Sequence, residues 1–170
     1  MNNQPIIYGE PPRKRPFATS AVAVQALIVN DQSEILLLSS PVRNAENEWQ
    51  LVSGGLDAGE TILDATLREV GEEVGTAVKV RPLGVVHTHT FHYDANIQFM
   101  IGVYYLMAYK GGEIVPGDDM VGSEVKWWSL AELERGDVIF HSSTHLWMIR
   151  RAMELYPLWR EQTVPLQLPL

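Results

Sequence analysis

The chain contains no cysteine. That excludes disulfides, thiolate-bound metals and a cysteine nucleophile, and it suits a reducing compartment, so the expected location is cytoplasmic. Basic residues are also few, with 13 Lys and Arg against 21 Asp and Glu and a net charge of −8. With no basic stripe to displace counterions, an extended nucleic-acid-binding surface is not expected. No apolar run is long enough to span a bilayer, and the opening MNNQPIIYGEPPRKRPF lacks the pattern of a secretory signal, so no membrane partner is expected. Internal repeats and low-complexity tracts are missing too. The 170 residues, 46% of them hydrophobic, therefore read as one domain able to bury a core.

What the chain does have is a concentrated acidic stretch. Residues 54–76 read GGLDAGETILDATLREVGEEVGT. Thr61 is a natural N-cap, with Asp64 three residues on, for a helix from 62 to about 74 that Gly75 closes. Leu63, Leu67, Val70 and Val74 then form a core stripe, while Glu69, Glu72 and Glu73 crowd one patch of the opposite side. Like charges at that spacing repel, and they lie in the half of the helix where the backbone dipole disfavours acids. A cation among them removes the cost. Oxygen ligands of this kind suit Mg²⁺ or Mn²⁺, and such an ion lets an acidic protein hold a polyphosphate. The competing reading of the Glu triplet alone is a solvated acidic face.

Around this stretch the chain divides into a flexible or extended arm (1–17, with Arg13, Lys14 and Arg15), a main domain (18–156) and a C-terminal tail (157–170). Strands are predicted over 19–29 and 34–39, joined by the turn 30–33, and over 49–52, 77–91, 96–109 and 124–128. A short helix over 130–134 has Ser129 as its cap, and a closing helix covers 145–155 with Leu146, Ile149, Ala152 and Met153 inward. The loop over 41–48 carries Arg43, placed either in solvent or against a phosphate or base edge. Trp49 belongs to the core or a pocket wall. In HTHTFHY, strand alternation puts His87 and His89 on one face and His92 on the other. No third ligand completes a histidine metal site, so lining a pocket beside phosphates or a base is the preferred role, with an exposed strand face the remaining option. The whole is an α+β domain.

The spacing Gly54, five residues, Glu60, seven residues, Arg68-Glu69-Val70, one residue, Glu72-Glu73, one residue, Gly75 resembles the Nudix box. Every fixed position matches; only the last aliphatic position departs, where Thr76 stands. The resemblance implies a Nudix fold, a mixed β-sheet sandwiched between helices with the box as a loop–helix–loop. It also implies hydrolysis of a nucleoside diphosphate linked to another moiety, assisted by Mg²⁺ or Mn²⁺. Glu69, Glu72 and Glu73 are the implied metal ligands, joined by the carbonyl of Ser53, with Glu60 in reach. Arg68 orients a carboxylate. The general base is Glu69, or Glu124 of the sequence Glu124-Val125-Lys126-Trp127, or Asp118 or Asp119 in the loop before it. Arg43, His87, His89 and Tyr93 are the candidate substrate contacts.

Substrate hints conflict. Val52-Ser53-Gly54 looks like the ADP-sugar pyrophosphatases, yet His92 replaces the proline of ADP-ribose enzymes, and Tyr93 is near a dinucleoside polyphosphate tyrosine. The expected partner is a small-molecule nucleotide diphosphate. The oligomeric state is open, with a homodimer favoured by family habit and by the arm. A related isomerase chemistry needs a cysteine this chain lacks. A non-catalytic sensor domain commonly loses box carboxylates that are all present here.

Overall fold

A computed structural model describes residues 19–41, 48–117 and 120–162. The N-terminal arm, Arg43, Asp118, Asp119 and residues 163–170 of the tail lie outside the described residues. In chain order the elements are β1 (Ala21–Val29), β2 (Glu34–Ser39), β3 (Glu48–Trp49), β4 (Val52–Gly55), α1 (Ile62–Val74), β5 (Lys79–Phe91), β6 (Met100–Gly111), β7 (Glu124–Ser129), α2 (Leu130–Glu134), β8 (Ile139–Phe140) and α3 (Leu146–Trp159). No helix among the described residues is long and apolar enough to cross a membrane.

β1 is almost wholly apolar because it lies at the centre of a sheet covered on both faces. It pairs parallel with β6 and antiparallel with β2 and β4, giving the order β5-β6-β1-β2-β7 with β4 alongside part of β1. Its side chains alternate between two cores. Leu27 and Val29 pack with Met148, Ile149, Ala152 and Tyr156 of α3, whereas Ala26 and Ile28 pack with Val70 and Val74 of α1. The α+β sandwich expected from the box is the one observed.

Several local expectations change under tertiary constraints. The single strand expected over 49–52 is two: β3 pairs parallel with β8, and β4 pairs with β1, with Gln50 bridging to Leu38 between them. Trp49 goes to the core, its ring edge-on to Trp128 at 5.1 Å. The closing helix does not stop before Pro157 but continues to Trp159. Pro157 forfeits one backbone bond in the last turn, yet the turn is held from outside. Trp159 packs where a side chain on Gly84 would collide with it, at 2.8 Å, and Arg81 donates to the carbonyls of Arg160 and Gln162. β5 tolerates Pro82 because it is the sheet edge and bulges there.

α1 begins where capping predicts. The Thr61 hydroxyl accepts from the Asp64 N–H at 3.1 Å and donates to the Asp64 carboxylate at 2.7 Å. Its buried face is rotated from the expected stripe, however. Leu67 is 37% exposed, and Ala65 and Thr66 are buried instead. The rotation brings Glu69 and Glu73 against β4.

Candidate active site

The box carboxylates were expected on the side of α1 away from the core. Glu69 and Glu73 are instead buried, at 9% and 2% exposure. A buried carboxylate requires a partner, and β4 supplies part of the answer. The Ser53 N–H donates to Glu73 Oε2 at 2.9 Å, tying the helix to the strand. Gly54 makes the space for Glu69: a Cβ there would stand 1.9 Å from the Glu69 carboxyl carbon.

Arg68 answers the repulsion within the triplet. Its Nη1 donates to Glu69 Oε1 at 2.7 Å and to Glu72 Oε2 at 2.8 Å. Its Nε and Nη2 reach the two oxygens of Glu60 at 3.3 and 2.9 Å, and Nη2 also donates to the Gly55 carbonyl at 2.7 Å. Glu60 further accepts the Asp57 N–H at 2.6 Å, which closes the box loop. The bonds to Glu60 first, then those to Glu69 and Glu72, push the Arg68 pKa still higher against the opposing effect of burial. In return, the Arg68 bond and then the Asp57 N–H hold Glu60 below the usual carboxylate range. One planar guanidinium thus locks three carboxylates and a backbone carbonyl, which a point-like ammonium cannot do.

Among the described residues, no three His, Asp or Glu side chains converge as a ready-made ion cage. The donor set nevertheless fits a hard divalent ion. Glu69 and Glu72 offer oxygens that already share one cationic nitrogen, with Glu73 beside them on the same helix. An ion there competes only for Nη1 and leaves the Arg68–Glu60 fork in place.

β4 is also a wall of a cleft of about 890 Å³. The cleft opens on the α3 face of the sheet, beyond the part that α3 covers. Sheet register builds its floor in rows: Ser53, Gln25, Tyr104 and His87 lie side by side, and next to them Gly55, Ala23, Gly102 and His89. Gly102 leaves the rings room, since a Cβ would come 3.1 Å from Tyr104 and 3.5 Å from His89. These two rings stack at 5.4 Å and 23°. Burial, then the neighbouring His87 and His145, lower the His89 pKa, which disfavours a charge on its ring.

The candidates named from sequence fall in three places. Arg68, Glu60, Glu69 and Glu72 form one network, with Glu73 bonded to Ser53 beside it. His89 and Tyr93 line the cleft, while His87 lies one row deeper, edge-on to Trp147 at 4.8 Å. His92 does not turn away as strand alternation predicts; β5 ends at Phe91, and His92 joins the lining. Glu124 stands exposed at the start of β7, opposite Ser39, outside both the Arg68 network and the cleft lining. Sequence reading missed Gln25, Tyr104, His141 and His145. A signal existed for three of them: Gln25 is the single polar residue of AVAVQALIV, and His141 and His145 bracket a short polar loop. All five histidines of the chain gather at or behind this cleft.

The fold has a solved counterpart. A NUDIX-family hydrolase from Clostridium perfringens superposes with a TM-score of 0.65 at 18% identity, over 81% of this chain and 99% of that one. The family is shown by sequence: a NUDIX domain model matches residues 19–148, and the chain belongs to the Nudix family. It is 30% identical to an NAD-capped RNA hydrolase, NudC, of Deinococcus radiodurans over 78% of this chain and 45% of that protein. To an ADP-ribose pyrophosphatase of Methanocaldococcus jannaschii it is 29% identical, over 71% of this chain and 69% of that one. The chain spans less than half the length of several curated relatives it matches.

Proposed function

We propose that this protein hydrolyses a phosphoanhydride bond in a nucleoside diphosphate linked to another group, with Mg²⁺ or Mn²⁺ between the box carboxylates and the diphosphate. The observation that carries the reading is the sharing of Arg68 Nη1 by Glu69 and Glu72, on a helix bound to the strand that walls the cleft. Glu69, Glu72 and Glu73 would hold the ion, with Ser53 adjoining. When bound, the ion neutralises charge on the phosphoryl oxygens and makes its water a better nucleophile. Arg68 keeps Glu69 and Glu72 in place, and Glu60 anchors Arg68 from the loop side. Among the described carboxylates, Glu69 is better placed than Glu124 to take the proton of the attacking water, because Arg68 holds it beside Glu72, whereas Glu124 stands outside that network. The activities named for the two relatives, on NAD-capped RNA and on ADP-ribose, agree with this substrate class.

The test is product analysis with Mg²⁺ against nucleoside triphosphates, ADP-ribose, other nucleotide sugars and dinucleoside polyphosphates. Glu72→Gln and Glu73→Gln run beside the wild type. Metal-dependent cleavage lost in both variants is the expected result. Tight binding of a nucleotide that is never cleaved makes the protein a sensor and overturns the proposal.

A further inference from the structure

α1 ends without the usual means of closing a helix. Gly75 takes φ 109° and ψ 143°, not the left-handed turn that returns N–H groups to the last carbonyls, and the last turn carries no basic side chain. Carbonyls at a helix end then need donors from elsewhere. A distant segment supplies one: the Val115 N–H donates to the Val74 carbonyl at 3.0 Å.

Residues 112–117, which follow β6, lie along this end of α1 as a strap. Gly112 passes so close to the Ala77 carbonyl that a side chain there would collide with it. Ile114 packs against the core cluster that holds Val70 and Val74. A Cβ on Gly75 would stand 2.9 Å from the Val115 carbonyl oxygen, and one on Gly117 would stand 2.8 Å from that of Glu72. Past the strap, Met120 is fully buried in the same cluster, and its N–H donates to the Gly117 carbonyl at 2.9 Å. Helix and strap therefore meet backbone to backbone, where no change of rotamer relieves a displacement.

The contact falls at the box carboxylate that β4 does not reach. Gly54 makes room for Glu69, and the Ser53 N–H holds Glu73. The Glu72 side chain is 41% exposed and bonds to Arg68 Nη1, a nitrogen it shares with Glu69. An ion competing for that nitrogen loosens this bond. The place of Glu72 then depends on the backbone of the last turn.

Resting on the hydrolase reading above, we propose that the strap positions Glu72 for the metal ion, through Gly117 against the Glu72 carbonyl and the Val115 N–H on Val74. Gly117 and Val115 are positioning residues, acting through the helix and not on the ion or the substrate.

Gly117→Ala is the direct perturbation. Gly117 is not among the positive-φ glycines, so alanine suits its backbone and meets only the Glu72 carbonyl group. Relief to an ordinary contact of about 3.5 Å moves the turn by roughly 0.7 Å. Mn²⁺ binding is measured without substrate, from the electron-spin resonance of the free ion, in wild type, Gly117→Ala and Val121→Ala. Val121, a 66% exposed side chain before β7, is the control. The expected result is binding about tenfold weaker in Gly117→Ala, the usual effect of disturbing what orients a metal ligand, and wild-type binding in Val121→Ala. Equal binding in Gly117→Ala and wild type overturns the proposal, whatever happens to Tm.

A strained variant can fail to fold, so a second measurement uses the wild type alone. Coupling between two sites is reciprocal, so saturating Mg²⁺ is expected to slow amide hydrogen exchange at Val115 by about tenfold relative to Gly136. The Gly136 N–H bonds to Leu133 in the turn after α2, at the core on the other face of the sheet. Exchange at Val115 that ignores Mg²⁺ overturns the proposal too. Wild type that binds no Mn²⁺ overturns both this proposal and the hydrolase reading. Wild type that shows both strap effects yet cleaves nothing in the product analysis overturns the hydrolase reading alone.

Discussion

Replacing Gly54 by alanine isolates the packing that sets the position of Glu69. The new Cβ would lie 1.9 Å from Glu69 Cδ and Oε1 and 2.3 Å from Oε2. Ordinary contact begins at about 3.5 Å, so the carboxylate must retreat by roughly 1.5 Å. It can, because the colliding atoms are the end of a flexible side chain, and Gly54 is not among the positive-φ glycines. The retreat surrenders the 2.7 Å bond from Arg68 Nη1. A charge-assisted bond contributes about 1.5–3 kcal/mol at most, and the guanidinium keeps its other partners in a partly solvated setting, so the net loss is about 1 kcal/mol. For a domain of this size that lowers Tm by roughly 2–4 °C. The effect on chemistry is larger, since misplacement by about 1 Å costs on the order of 100-fold in rate. Thermal unfolding and steady-state kinetics on the best substrate read the two effects separately. A variant with wild-type kcat refutes the argument that Gly54 positions a catalytic carboxylate.

Other consequences are more compact. Arg68→Lys keeps the charge but cannot present a planar fork to Glu60, Glu69 and Glu72 together, so kcat is expected to fall by about 10-fold or more; unchanged turnover contradicts the positioning role. Gly71→Ala sits inside α1 with nothing within 4 Å of the added methyl, and urea unfolding should show a gain of about 0.5–1 kcal/mol. His89 has a folded pKa below its ordinary 6.5, through burial and then its histidine neighbours. The unfolded chain then binds the proton more readily, so His89 contributes stability above pH 6.5 that is lost as pH falls. Tm measured between neutral and mildly acidic pH should drop less steeply in His89→Phe than in wild type. Chelating divalent metal should abolish hydrolysis and Mg²⁺ restore it, with circular dichroism unchanged throughout, because Arg68 ties the carboxylates without an ion; unfolding on chelation means the ion, and not the guanidinium, holds the box.

Local physics was legible in the chain. The bounds of α1 follow from Thr61 and Gly75, and those of α2 from Ser129, whose hydroxyl and Glu132 complete a capping box. The shared face of His87 and His89 follows from strand alternation, and the box spacing by itself carries the resemblance to the family. These features depend on neighbours three or four residues away, or two along a strand. The tertiary structure decided the rest. It buried Glu69 and Glu73 while leaving Glu72 more open, because only β4 has an N–H and a side-chain-free glycine to meet them. It carried α3 past Pro157 by packing Trp159 on β5, and turned His92 into the cleft by ending β5 at Phe91. Most of all, it gave Gln25 its place. In sequence it is one polar residue in an apolar strand; in the fold it lies where α3 no longer covers the sheet, beside residues 28 and 79 positions away. Such placement comes from strand register between distant segments, to which local periodicity carries no clue.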